Sequence, residues 1–133
     1  MNASDSTTRI LGYDDVCRLL PMAECMEVMA EALRTLARGD AVLPLRTMVW
    51  LPDRSALLGL MPGYLGEPRS FGLKVVSIVP GNHGSDYDSH QGVVMLFGVE
   101  HGEPLAVMAA ASRIASGSPW ATPNNITTPW CES

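Results

Sequence analysis

The stretch Phe71-Gly-Leu-Lys-Val-Val-Ser-Ile-Val79 is rich in apolar and β-branched residues, carries one charge and is closed by Pro80, so it reads as a β-strand. Alternation along that strand puts Gly72, Lys74, Val76 and Ile78 on one face. Runs of the same kind flank it. Residues 45–51 form a strand closed by the turn Pro52-Asp53-Arg54-Ser55, and residues 56–61 form an unbroken apolar run expected to be buried on both faces. Residues 62–70 and 80–89 read as loops. Residues 91–99 form the next strand, which His101-Gly102 turns into a last one beginning near Pro104.

Upstream the period changes. Residues 9–12 fit a short strand, and Asp14 can cap a helix over about residues 15–20 that ends at Pro21. Met22, Met26, Met29, Leu33 and Leu36 then recur at helical spacing, with Glu24, Glu27, Glu31, Arg34 and Arg38 opposite them and Gly39 as a stop. The methionine stripe is expected to be core. Helices followed by a run of strands indicate an α+β fold, with one or two N-terminal helices packed on a mostly antiparallel sheet of about five strands. Residues 112–133 have no sustained period and are broken by Pro119, Pro123 and Pro129. They read as an irregular tail, which leaves 1–111 as the folded unit.

Composition narrows the function. The 133 residues are 47% hydrophobic and 17% charged with a net charge of −5, which suits one globular domain. The basic residues form no cluster, so nucleic acid is not an expected partner. No apolar run is long enough for a membrane span, and the polar start resembles no export signal, so a cytoplasmic location is expected. Cys17, Cys25 and Cys131 lack paired spacing and read as free thiols.

Two cations stand out. Lys74 is the chain's only lysine and lies on an apolar strand face, where an ammonium either meets an anion or snorkels to water at the sheet edge. Arg46, in Leu43-Pro-Leu-Arg-Thr-Met-Val-Trp50, shares a face with Met48 and Trp50. It is either a surface arginine or a fork for a carboxylate. His83, Asp86, Asp88 and His90 have ligand chemistry, but the surrounding Gly84, Ser85 and Ser89 point to a solvated turn, so no metal is expected. No Gly-x-Gly-x-x-Gly, Gly-x-Ser-x-Gly or His-Glu-x-x-His occurs.

Six blocks in order, Leu43-Pro-Leu-Arg-Thr47, Leu60-Met-Pro62, Gly72-Leu-Lys-Val-Val76, Pro80-Gly-Asn82, Ser89-His-Gln-Gly-Val-Val94 and Gly102-Glu-Pro-Leu-Ala-Val-Met108, resemble the ornithine cyclodeaminase/mu-crystallin family. The resemblance implies NAD(P)-dependent chemistry on a small amino or imino acid, or its 2-oxo acid, through an imine. It makes 1–111 the substrate-binding and dimerisation region, with a homodimer expected. It implies that Arg46 pairs with the substrate carboxylate, and that Lys74 is catalytic or a second carboxylate partner. His90 and Gln91 would shape the site or bond nearby loops.

Two departures matter. Gly59 stands where some ornithine-acting members have glutamate, which weakens ornithine as substrate. After Met108 the family's acidic residue and Arg-Thr-Ala-Ala segment are replaced by Ala-Ala-Ala-Ser-Arg-Ile-Ala-Ser-Gly117. The Rossmann domain is therefore expected to be missing, as in a truncated or frame-shifted product, with no cofactor bound by this chain alone. The alternative is a non-catalytic module that dimerises or binds a small carboxylate.

Overall fold

The computed structural model describes residues 7–110. The tail expected over 112–133 lies outside them. Ten elements follow in order: β1 (Arg9–Leu11), α1 (Tyr13–Leu19), α2 (Met22–Ala37), β2 (Ala41–Val42), β3 (Thr47–Trp50), β4 (Leu57–Gly66), β5 (Arg69–Ile78), a 3-10 turn (Pro80–Asn82), β6 (His90–Phe97) and β7 (Pro104–Ala109). The α+β class holds. The sheet has seven strands where about five were expected, in the order β1-β7-β6-β5-β4-β2, with β3 also paired to β4. It is antiparallel except for β1, which runs parallel to β7 with Arg9 opposite Ala106.

Gly12, not Asp14, caps α1. The Gly12 N–H donates to Asp15 Oδ2 at 3.1 Å, so the first-turn carboxylate meets an orphan donor of the helix start. α2 runs from Pro21 to a stop at Gly39, whose φ of +81° is the left-handed conformation that ends helices. Its Thr35 hydroxyl donates to the Glu67 carbonyl at 3.0 Å and accepts from Arg38 Nη2 at 2.9 Å. This ties the helix to the tip of the β4–β5 hairpin, which turns through a cis Glu67–Pro68 bond.

The long β4–β5 hairpin replaces the loop expected over 62–70. Pro62 lies inside β4, opposite Leu73. Proline has no N–H to give, so it suits a strand where the neighbour on one side is interrupted. That is the case here. On its outer side β4 pairs with β3 through residues 57–60 and with β2 at residues 64 and 65, and these pairs pass over residues 61–63.

The methionine stripe is not core. Met26 is 66% exposed, Met29 52% and Leu33 59%, and no apolar side chain among the described residues is fully buried. α2 rests on the β2–β4 end of the sheet only, so much of its apolar face looks outward. Leu58 is also exposed, so β4 is not covered on both faces. Cys25 is a free thiol as expected, whereas Cys17 is disulfide-bonded, which overturns that expectation for Cys17.

Candidate functional site

The interruption beside Pro62 makes a groove. The segment 43–46 leaves β2, crosses the gap opposite residues 61–63 and enters β3 at Thr47. It forms one wall of an open groove of about 430 Å³. Met61, Pro62 and Gly63 of β4, Gly72, Leu73 and Lys74 of β5, and Val94 of β6 complete the lining. Arg46 comes from the wall and Lys74 from the floor.

Register explains why Lys74 is there. Met61, Lys74 and Val94 are directly opposed on three neighbouring strands, so their side chains share one face. Both cations are exposed to solvent. Among the described residues, the ion pairs of arginine involve Arg18, Arg34, Arg38 and Arg69, and neither Arg46 nor Lys74 has an acidic partner. The groove lining holds two cations, no acid and otherwise apolar residues or glycine. Two like charges on one concavity repel unless an anion bridges them.

The structure separates His90 and Gln91 from this pair. His90 is opposite Ile78, on the Lys74 face but two alternations along β6 from Val94, and it does not line the groove. Its Nδ1 lies 3.1 Å from Ser89 Oγ. Gln91 alternates to the other face, beside Leu58, Val75 and Ser77. Its Nε2 donates to the Asp88 carbonyl at 3.4 Å, and Asn82 Nδ2 donates to the same oxygen at 3.0 Å, so Gln91 and Asn82 brace the 80–89 loop. Among the described residues no three His, Cys, Asp or Glu side chains gather as a metal site, and His83, Asp86, Asp88 and His90 are not brought together as one.

Gly59 is buried opposite Val76, on the Lys74 face, and a Cβ there would stand 3.3 Å from Val76 Cγ1. Sequence reasoning does not single out Gly63, Gly72 and Val94 as site residues. A proline inside an apolar run, next to Gly63, is the available signal for the gap.

Residues 6–117 match the profile of the Ornithine cyclodeaminase/mu-crystallin family. Ketimine reductase mu-crystallin of Mus musculus is 34% identical over 88 residues, covering 63% of this chain and 28% of its own. The structure of Thermococcus litoralis Delta(1)-pyrroline-2-carboxylate reductase in complex with NADH and L-proline is similar with a TM-score of 0.72 at 30% identity, over 77% of this chain and 32% of that one. An archaeal alanine dehydrogenase dimer with bound NAD gives 0.70 at 34% identity, over 77% and 31%. The chain spans about 30% of the length of the curated relatives it matches.

Proposed function

The chain belongs to the ornithine cyclodeaminase/mu-crystallin family, and from that premise we propose that it forms the substrate side of an oxidoreductase acting on a small amino or imino acid. The observation that carries the reading is the convergence of Arg46 and Lys74 on one acid-free groove. The relatives' names point the same way, since pyrroline-2-carboxylate and alanine both carry nitrogen on the carbon next to a carboxylate, and a ketimine carries a carbon–nitrogen double bond.

In this reading the Arg46 guanidinium takes both carboxylate oxygens in a planar fork. Lys74, on β5 across the width of β4, neutralises the remaining charge and stands beside the carbon–nitrogen bond as a proton-transfer group. Met61 and Val94 flank it and exclude water from one side.

The described residues do not fit a nicotinamide nucleotide. A pyrophosphate needs a strand that enters a helix through a glycine-rich turn with free N–H groups. β1 enters α1 through the single Gly12, whose N–H is taken by Asp15, and Asp14 adds a second negative charge to that turn. α2 starts after Pro21. These residues bind and orient the acid, and the hydride must be supplied by a unit they do not form.

The test is calorimetric titration of the whole chain with pyruvate and with Δ1-pyrroline-2-carboxylate. Binding should be measurable and should be lost in Arg46→Ala while the circular dichroism spectrum is unchanged. Equal binding by wild type and Arg46→Ala would remove the assignment. NADH titrated into the same chain should give no heat of binding.

Exposed apolar side chains on α2, β3 and β4 favour a second element of the reading, association of two copies into a homodimer. No helix among the described residues is long and apolar enough to cross a membrane.

A further inference from the structure

Gly63 and Gly72 face each other across β4 and β5. Both line the cation groove, and both also line a second pocket, of about 290 Å³, between α2 and the sheet. Leu43 is the third residue common to the two. The second pocket is walled by Met29, Leu33 and Leu36 of α2 and by Phe71 and Leu96 of the sheet, and no charged residue lines it.

The glycine pair and Leu43 are where the two spaces border each other. A Cβ at Gly63 would stand 3.1 Å from Leu43 Cδ2, and one at Gly72 would stand 2.8 Å from the Met95 carbonyl oxygen. At Gly63 the added carbon would press on Leu43, which lines both spaces, whereas at Gly72 it would meet the β6 backbone. The result is a surface with a fixed polarity: two cations at one end, hydrocarbon at the other, and no acid in either.

We propose that groove and pocket form one ligand site, in which Arg46 and Lys74 hold the carboxylate and the space beneath α2 takes a hydrocarbon side chain of several carbons. The inference rests on the carboxylate role of Arg46 and Lys74 proposed above. The substrate class is then a 2-oxo, imino or amino acid with an apolar side chain. A diamino acid is disfavoured, because its distal ammonium would enter a pocket with no anion and lose its hydration without replacement.

The experiment is calorimetry on the whole chain with pyruvate, 2-oxobutanoate, 2-oxopentanoate and 2-oxohexanoate, and with L-norleucine against L-lysine. Affinity should rise about fourfold per added methylene, the value for burying one CH₂ group, and norleucine should bind more than tenfold tighter than lysine. Gly63→Ala should flatten the series. Leu33→Gln, on an exposed helix position, should flatten it as well and covers the case in which the glycine variant does not fold. If pyruvate binds through Arg46 but affinity does not grow with chain length, the pocket is not part of the site, although the carboxylate reading stands. Growth of affinity to an equal degree in Arg46→Ala would also exclude the pocket from the site, because apolar adsorption or a pocket filled by a second copy is then unconnected to the carboxylate. If no acid binds, pyruvate included, both proposals fall.

Discussion

Thr35 in α2 and Glu67 at the tip of the β4–β5 hairpin are joined by one hydrogen bond of 3.0 Å, and Thr35 has the one fully buried side chain among the described residues. The same hydroxyl accepts from Arg38. With so little apolar burial elsewhere, this polar contact fixes α2 against the sheet. Thr35→Val keeps the shape and removes the hydroxyl, leaving the Glu67 carbonyl without that donor. The expected cost is about 2 kcal/mol, read as a fall in Tm on the order of 10 °C by circular dichroism. A change of a degree or less would show that α2 is held by other means.

Gly92 in β6 is packed against β5, where a Cβ would collide with the Val75 carbonyl oxygen and press on Val76 Cα. These are backbone atoms and cannot rotate away. Gly92→Ala should cost roughly 1–3 kcal/mol, the range for overpacking. Gly81→Ala is the control, since nothing lies within 4 Å of its added methyl. Chemical denaturation of the two variants should separate them clearly.

Glu31 is held below the ordinary carboxylate range, first by its hydrogen bond to Arg34 and then by that to Arg38. A carboxyl that binds its proton more weakly in the folded chain contributes stability that is complete above the ordinary range and is lost as pH falls through the depressed value. The contribution of Glu31 should therefore hold steady from neutrality to mild acid and fall away only below the usual glutamate range. Glu31→Gln should soften that acid limb slightly. The group is exposed, so added salt should shrink the difference between the two proteins.

Lys74 is proposed to meet the substrate, and its side chain is exposed, so affinity and folding should respond separately. Lys74→Met should weaken 2-oxo acid binding about tenfold, in keeping with loss of one charge-assisted contact. Its unfolding free energy should change by no more than about 0.5 kcal/mol. A large loss of stability would make Lys74 a structural residue.

Val49, Trp50, Leu51 and Leu58 are each about two-fifths exposed or more, on the β3–β4 side of the sheet. Such a surface favours association. Light scattering at micromolar concentration should give a mass of twice 14.3 kDa or more. A monodisperse 14.3 kDa species would count against the homodimer.

Much of the fold is legible in the sequence because its strands are long and bounded by strong punctuation. Pro80 and His101-Gly102 mark the ends of β5 and β6 within a few residues. β2, with two residues, carries too little pattern to be seen. The β4–β5 hairpin reads as a loop because Pro62, Gly63 and Gly66 are turn signals by composition. Only the sheet shows that Pro62 sits opposite a missing neighbour, where its absent N–H costs nothing. The methionine stripe fails for another reason: helical period identifies an apolar face but not what covers it. At the groove, the residue types make Arg46 and Lys74 candidates, but their convergence depends on the path of 43–46 across the gap. Gln91 is one residue from His90, and one step of strand alternation sends it to the opposite face.

The parallel pairing of β1 with β7 sets the order in which the sheet can be assembled. The Thr8 hydroxyl, just before β1, donates to the Pro104 carbonyl from 96 residues away in sequence. The β4–β5, β5–β6 and β6–β7 pairs each join neighbours along the chain. On a ribosome the meander can therefore zip as it emerges, while β1, the first of the described strands to be made, waits for β7, the last of them. Closing so long a loop is entropically slow. The β1–α1 arm is thus the piece expected to dock last, and in native-state hydrogen exchange its amides should open before those of β5.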